Sequence, residues 1–369
     1  MHGKCVMQKS NRTTLSFFHF HICHSMPYVH TNKPYKSAID ALDSMNNHII
    51  LQIVKHVKNE PIVYIQTHNY PDHDAVASAF GLQHLLRELG TVSCIVYEGE
   101  IQSSSLRTMI EELAVDIRHV EDHDLTKDSK IIIVDGCKGN KNVTDLIGDE
   151  IAIIDHHQAK SPDDVRFSDI RPDHGACSTI IYGYYRDLNI PVPRMVATAL
   201  MIGINMDTSL LTRGVSEEDI RAYADLYPLS DLRLQNSILR NYIQTRDLSF
   251  YRYAIDHVEI NDRAAFCFFS DGCNQNLMGI LGDFFLSLEE VEFVALCAKN
   301  SESVNFSIRS ERNEWNASFI IQELLRGIGF GGGHGDMAGG IVKNLDLFDY
   351  QAFKVKCRSL LGLEGGVAA

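Results

Sequence analysis

The sequence contains no apolar run long enough to cross a bilayer, no C-x-x-C pair, and fewer basic than acidic residues. The first absence excludes a transmembrane helix, so no membrane partner is expected. The second bears on redox chemistry, because nine cysteines lie scattered at positions 5, 23, 94, 137, 177, 267, 273, 297 and 357. An odd, unpaired set predicts reduced thiols and a cytoplasmic protein rather than a disulfide framework. Cys137 and Cys177 lie near the motifs described below but carry no nucleophile signature, and read as packing residues. The third absence concerns charge: 34 Lys and Arg against 48 Asp and Glu give a formal net charge of −14. Sequence-independent coating of nucleic acid needs many cations facing phosphates, so long duplexes are not expected as partners. There is also no internal repeat and no low-complexity tract.

At 369 residues the chain is long enough for two domains, each with its own core. Residues 1–44 read differently from the rest. Lys4, Lys9 and Arg12 precede a short apolar stretch broken by histidines, with no clean cleavage site after it, which predicts a disordered leader or an overlong start. From about residue 45 the pattern is α/β. Residues 45–230 are expected to form a mostly parallel sheet with flanking helices, and 231–248 a helical connector continuing toward Tyr253. Residues 249–363 are expected to form a second, smaller α/β domain.

Within this frame Ile62–Gln66, Thr91–Tyr97, Ile131–Val134 and Ile151–Ile154 read as buried strands. Asp74–Leu89, Leu106–Val115, Cys177–Leu188 and Val196–Met206 read as helices, and Ser216-Glu-Glu-Asp as a capping box. The second domain is expected to have strands over 265–270, 291–299 and 304–309, and helices over 277–287 and 317–328.

Residues capable of binding metal recur at three strand ends. His68-Asn-Tyr-Pro-Asp72-His-Asp74 follows the first strand, Asp135 follows Ile131–Val134, and Asp155-His156-His157 closes Ile151–Asp155. Ligand sites in open α/β sheets lie outside the carboxyl ends of the strands, so the three tips are expected to converge. Carboxylates with neutral imidazoles suit manganese, iron or magnesium-like ions. The bland alternative for Asp72 and Asp74 is an ordinary helix start, favoured by the helix dipole. Asp207, at the end of an apolar helix, is weaker by itself, and the lone histidines His84 and His119 read as surface or satisfied residues. In the second domain, Gly331-Gly332-Gly333-His334-Gly-Asp-Met-Ala-Gly-Gly is glycine-dense enough to suggest a backbone nest for phosphate, with His334 and Arg309 adding charge-assisted bonds.

These motifs, in this order, resemble the DHH phosphoesterase family, named for the triplet Asp155-His156-His157, over roughly residues 45–360. The glycine-rich segment 331–340 resembles the signature of the family's associated C-terminal domain. The resemblance implies two divalent cations, Mn2+ first and Mg2+, Co2+ or Fe2+ as alternatives. His68, Asp72 and Asp135 would hold one, and Asp74, Asp135, His156 and Asp207 the other. His157 would face the scissile phosphate and Asp155 would orient its neighbours, while Arg309, Gly332, Gly333 and His334 would hold substrate. The chain departs from the family pattern at Ala75-Val-Ala-Ser-Ala and in the segment after Asp207, which leaves the substrate subgroup open.

The short architecture is similar to that of enzymes acting on very short oligoribonucleotides, phosphoadenosine phosphate or dinucleotides. Hydrolysis of a short oligonucleotide or nucleotide substrate is therefore expected, with a homodimer as a possible assembly. The alternatives are an inorganic pyrophosphatase or a cyclic-dinucleotide phosphodiesterase on the same metal site, and a nucleotide-sensing protein without hydrolysis.

Overall fold

The computed structural model describes residues 48–240 and 243–363, and the expected leader lies outside them. The first part runs α1 (Ile49–His56), β1 (Val63–Gln66), α2 (His73–Glu88), β2 (Ser93–Tyr97), α3 (Ser104–Glu112), β3 (Ile117–His119), β4 (Lys130–Val134), β5 (Asp149–Asp155) and β6 (Phe167–Ile170). Helices α4 (Cys177–Asp187), α5 (Arg194–Asp207), α6 (Glu217–Leu226) and α7 (Leu232–Arg240) follow. All strand pairs in this sheet are parallel, in the order β3-β2-β1-β4-β5-β6. Strands β1, β4 and β5 are almost continuously apolar because both faces of the sheet are covered: Ile65, Ile132 and Ile154 pack under the helices, while Tyr64, Ile131, Ile133 and Ile153 pack against loop residues such as Leu125, Val143 and Val165.

Helix α2 is buried nearly all round, and its small residues Ala75, Ala77, Ser78, Ala79 and Gly81 let α5 and α4 approach closely. A Cβ on Gly81 would meet Ile181 at 2.9 Å and Leu200 at 3.0 Å. The expected capping box is present, with Ser216 Oγ accepting from the Asp219 amide and Asp219 accepting from that of Ser216.

The second part comprises α8 (Leu248–His257), β7 (Glu259–Asn261), β8 (Ala264–Phe269), α9 (Gln275–Leu286), β9 (Phe293–Lys299), β10 (Val304–Ser310), α10 (Ala317–Leu325), β11 (Phe330–Gly333), β12 (Met337–Val342) and α11 (Tyr350–Leu360). Its sheet has the order β11-β12-β10-β9-β8-β7, with β8 and β9 parallel and the other pairs antiparallel. Strand β9 alternates between two cores. Phe293, Ala295 and Cys297 pack toward α10 and α11, while Val294, Leu296 and Ala298 pack toward α8 and α9.

The connector is not one continuous helix. Helix α7 stops at Arg240, and Gln244 is extended (φ −98°, ψ 153°). There Asp247 accepts from the Gln244 amide at 2.8 Å, a local bond that starts a new turn leading into α8. Among the described residues no helix is long and apolar enough to cross a membrane, and Cys137, Cys177, Cys267, Cys273, Cys297 and Cys357 are buried free thiols.

Candidate metal centre and the cleft above it

In the first sheet the order reverses between β1 and β4, so the carboxyl ends of these strands flank a crevice. The chain leaving β1 carries His68, Asp72 and Asp74 to this crevice, β4 delivers Asp135, and β5 delivers Asp155, His156 and His157. Asp207, the last residue of α5, joins them. Among the described residues four overlapping donor groups result: His68 with Asp72 and Asp135, Asp74 with His156 and Asp207, Asp135 with Asp155 and His157, and His156 with His157 and His334; the first two are the sets expected to hold the cations.

Asp135 stands between them. Its Oδ2 is 3.6 Å from His68 Nε2 and its Oδ1 is 3.3 Å from His156 Nε2. The residue is 1% exposed and adopts φ +58°, a left-handed backbone uncommon outside glycine and asparagine-like residues and typical of strained functional positions. Asp72 caps α2, its Oδ1 accepting from the Ala75 amide at 3.0 Å, while its Oδ2 lies 3.6 Å from His68 Nε2. Helix capping and convergence on His68 thus coexist in one carboxylate.

Asp74 is fully buried and accepts from the amides of Cys177 (2.6 Å) and Ser178 (3.0 Å), the first residues of α4, whose positive dipole end faces it. Gly203 makes this approach possible. A Cβ there would collide with Ser178 Oγ and lie 2.6 Å from Asp74 Oδ1. His156 is fixed by its Nδ1, 3.2 Å from the His174 carbonyl, so its Nε2 points at Asp135 and Asp207, the latter 3.2 Å away. Asp155, also fully buried, accepts from the His157 amide at 3.1 Å and holds His157 Nδ1 at 2.8 Å through the same oxygen, Oδ1.

The electrostatics of this cluster are those of a site short of positive charge. Burial opposes a charged His68, but the hydrogen bond and charge of Asp72, with the charge of Asp135, push its pKa up to about 10. Burial and the neighbouring carboxylates raise Asp74 well above the ordinary range and Asp207 to about 6. The pKa of His156 is likewise raised well above its usual value: burial opposes the charge, and Asp135 and Asp207 outweigh it. Asp135 Oδ1, Asp155 Oδ2 and His156 Nε2 are buried without a hydrogen-bond partner among the described residues. Nitrogen and oxygen atoms that lie 3.2–3.6 Å from one another, several of them buried without a hydrogen-bond partner and none of them sulfur, fit divalent cations of the manganese or magnesium type.

Above the centre lies a cleft of about 980 Å³, lined from the first part by His156, Asn205, Asp207 and Arg213 and from the second by Asp283 and His334, among others. His334 stacks on His157, with ring centroids 5.1 Å apart. The glycine run does not form the expected nest. Gly331–Gly333 are the edge strand β11, paired with β12, and at two positions of the run glycine serves packing against α10. A Cβ on Gly331 would meet Ile321 at 2.7 Å, and one on Gly340 would meet Leu325 at 2.5 Å. From this hairpin only the turn His334, Gly335 and Asp336, with Met337, reaches the cleft, whereas Gly332 and Gly333 do not line it.

Arg309 is also absent from the cleft lining, and its guanidinium is committed to Asp283 (2.9 Å), Ser307 and the Ile308 carbonyl. The guanidinium that does reach the cleft beside Asp207 is that of Arg213, missed in the sequence although it stands only six residues after Asp207. Arg213 lies 3.2 Å from Asp283 and 3.6 Å from Asp336.

Comparison with known proteins matches residues 62–204 to the DHH family, N-terminal domain, and 261–354 to the DHHA1 domain. The chain is 28% identical over 312 residues to an uncharacterized protein of Methanocaldococcus jannaschii, covering 84% of this chain and 64% of that one. It is 27% identical over 159 residues to a probable manganese-dependent inorganic pyrophosphatase of Streptococcus thermophilus, covering 40% of this chain and 49% of the relative. The chain thus spans less than two thirds of the length of these relatives. An exopolyphosphatase-related protein from Bacteroides fragilis shares the fold, with a TM-score of 0.68 at 16% identity, covering 85% of this chain and 95% of that one.

Proposed function

Because this chain belongs to the DHH family, with a DHH N-terminal domain followed by a DHHA1 domain, we propose that it is a metal-dependent phosphoesterase that hydrolyses short oligoribonucleotides or dinucleotides to mononucleotides. In this reading residues 45–230 carry the catalytic centre and residues 249–363 hold the substrate. His68, Asp72 and Asp135 hold one divalent cation, manganese by preference, and Asp74, Asp135, His156 and Asp207 hold a second. Such a pair, when bound, supplies charge neutralisation on the phosphoryl oxygens and lowers the pKa of the attacking water.

The chain's own residues do the rest. Asp135 shares its two oxygens between the two donor groups. Asp155 fixes the tautomer and direction of His157, leaving Nε2 of that ring to address the phosphoryl group. His334 covers His157 from the opposite side of the cleft, restricting bulk water above the centre.

One observation carries the choice of substrate: the cleft. At about 980 Å³ it is many times larger than pyrophosphate requires, and Met206, Leu210, Leu239, Ile280 and Leu286 give it apolar surface suited to nucleobases. Inorganic pyrophosphatase is the second reading, favoured by the likeness to the Streptococcus thermophilus protein. The experiment is a manganese-supplemented panel of 5′-pApA, longer oligoribonucleotides, cyclic di-AMP, phosphoadenosine phosphate and pyrophosphate, with a chelator control. Chelator-sensitive cleavage of pApA ahead of the others is the expected result. Preference for pyrophosphate would replace the nucleotide reading, and inactivity across the panel with metals bound would favour a sensor.

A further inference from the structure

The cleft contains a charge arrangement that neither the metal centre nor a phosphate-binding role accounts for. Apart from the candidate metal ligands, its charged lining is Arg213 and Arg312 against Asp283, Glu311 and Asp336, with histidines beside them. Both guanidinium groups are already paired. Arg213 Nη2 is 3.2 Å from Asp283 Oδ1 and its Nε is 3.6 Å from Asp336 Oδ2. Arg312 is bound by Glu292 and lies over the Trp315 ring at 4.4 Å. The Asp283 oxygen that faces Arg213, Oδ1, also accepts from Arg309 Nε at 2.9 Å.

A substrate that was all phosphate would meet three carboxylates here, Asp283, Glu311 and Asp336, with no unpaired guanidinium among the described lining residues to offset them. Ionised carboxylates only accept hydrogen bonds, as phosphate oxygens do, so this wall calls for a ligand that donates. The same cleft takes in His156, 3% exposed, whose Nε2 is aimed at the metal centre without a hydrogen bond. The ligand must therefore present a phosphoryl group at one end and hydrogen-bond donors at the other. In a ribonucleotide the nearest donors to a phosphodiester are the ribose hydroxyls, and carboxylates are well suited to accept from them.

We propose that Asp283 and Asp336 are specificity-determining residues that accept hydrogen bonds from substrate ribose hydroxyls, with Arg213 and Arg309 as the residues that position them. This inference rests on the nucleotide reading and sharpens it: the substrate is a ribonucleotide end, and its deoxy counterpart is discriminated against. Arg309, expected to grip phosphate, instead holds Asp283 through Oδ1, and Arg213 reaches that same oxygen and Asp336 from the DHH domain, so that both carboxylates are aligned.

The test compares kcat/KM for pApA with that for its 2′-deoxy and 3′-deoxy analogues, in the unaltered protein and in Asp283→Asn and Asp336→Asn. A charge-assisted hydrogen bond corresponds to roughly tenfold or more in affinity. The unaltered protein should therefore prefer the ribose substrate by at least about tenfold, and each variant should bring the ratio toward one. Freeing Arg213 in the variants would alter phosphate binding equally for ribose and deoxyribose substrates and leave the ratio unmoved. A ratio near one in the unaltered protein, or variants that lower all rates in parallel, would overturn the ribose assignment while leaving the nucleotide reading intact. Efficient pyrophosphate hydrolysis without any dinucleotide cleavage would instead remove the nucleotide reading itself. Because the analogues are read first on the unaltered protein, the outcome does not depend on a variant folding.

Discussion

His334 and His157 stack with their rings inclined at 30°, although one closes a hairpin in the second sheet and the other follows a strand of the first. The contact joins the two halves of the cleft directly over the metal centre. His157 is held by Asp155, while burial and the charges of His157 and His156 bring the pKa of His334 down to about 4. His334 is therefore a neutral ring at physiological pH, able to donate through one nitrogen and accept through the other.

His334→Ala should lower kcat/KM by about 100- to 1,000-fold, the scale on which one well-placed polar partner acts in a transition state. Its metal content, read by mass spectrometry of the purified protein, should match the parent, since His334 is not among the ligands assigned to either cation. Loss of metal in this variant would mean that His334 acts as a ligand, and an unchanged kcat/KM would mean that the stack has no part in turnover.

Asp135→Asn separates the Asp135 carboxylate, proposed above to serve both cations, from its backbone conformation. Asn tolerates the φ of +58° at this position, so the substitution removes charge with little added strain, whereas Ala would add a backbone cost of about 1–2 kcal/mol. Metal bound per chain should fall below the parent's value and turnover by about 1,000-fold or more. A fully loaded, active Asp135→Asn protein would be incompatible with a shared ligand at this position.

Metal loading should release protons. In the metal-free protein burial is outweighed by Asp72 and Asp135, which push His68 up to about 10, so it carries a proton at pH 7.5 that a cation must displace, and His156 and Asp74 are shifted in the same direction. Affinity should therefore rise with pH up to about 10, and fall again below about 6 where Asp207 takes up a proton. For the metal-free fold the sign is opposite. The stability that protonated His68 contributes is complete below its unfolded value near 6.5 and is lost as pH rises through about 10. Calorimetric titration of Mn2+ in buffers of different ionisation enthalpy should detect about one proton or more released per loaded chain at pH 7.5, and no release at all would contradict this account.

The strand tips were legible because their signal is local. An apolar, β-branched run that ends in Asp or His announces both the strand and the ligand, as at Val134-Asp135 and Ile154-Asp155-His156. Asp207 was legible only through its place in an ordered set of motifs. Arg213, Asp283 and Asp336 were not legible, because their meaning depends on two domains facing each other, which no local pattern encodes. The glycine run was misread for a physical reason: glycine marks close approach of a backbone to something, and at Gly331 and Gly340 that something is α10 rather than phosphate. The connector was drawn as one helix because the amphipathic pattern continues past Arg240, while the bond between Asp247 and the Gln244 amide, which restarts the chain, is a short-range choice that periodicity does not see. Short edge strands such as β3 and β7 carry too few residues to show an alternating pattern.

Gly203→Ala tests whether the packing of α5 sets the metal geometry. The added methyl would strike Ser178 Oγ and Asp74 Oδ1 while Ala77 crowds it from α2 at 3.2 Å, and all three neighbours are buried on helices that cannot yield independently. Helix α5 must then move outward, carrying Asp207 at its last turn away from His156 and Asp74. Overpacking of this kind costs about 1–3 kcal/mol, whereas Gly→Ala in an unobstructed helix interior would stabilise by about 1 kcal/mol. Thermal melts of the metal-free protein should show a lower Tm, and melts with saturating Mn2+ should show a smaller metal-induced rise than in the parent, because the binding defect adds to the packing defect. A higher Tm would mean that α5 has room to spare, and an unchanged metal-induced rise would mean that Asp207 keeps its place independently of the contact between Gly203 and Asp74.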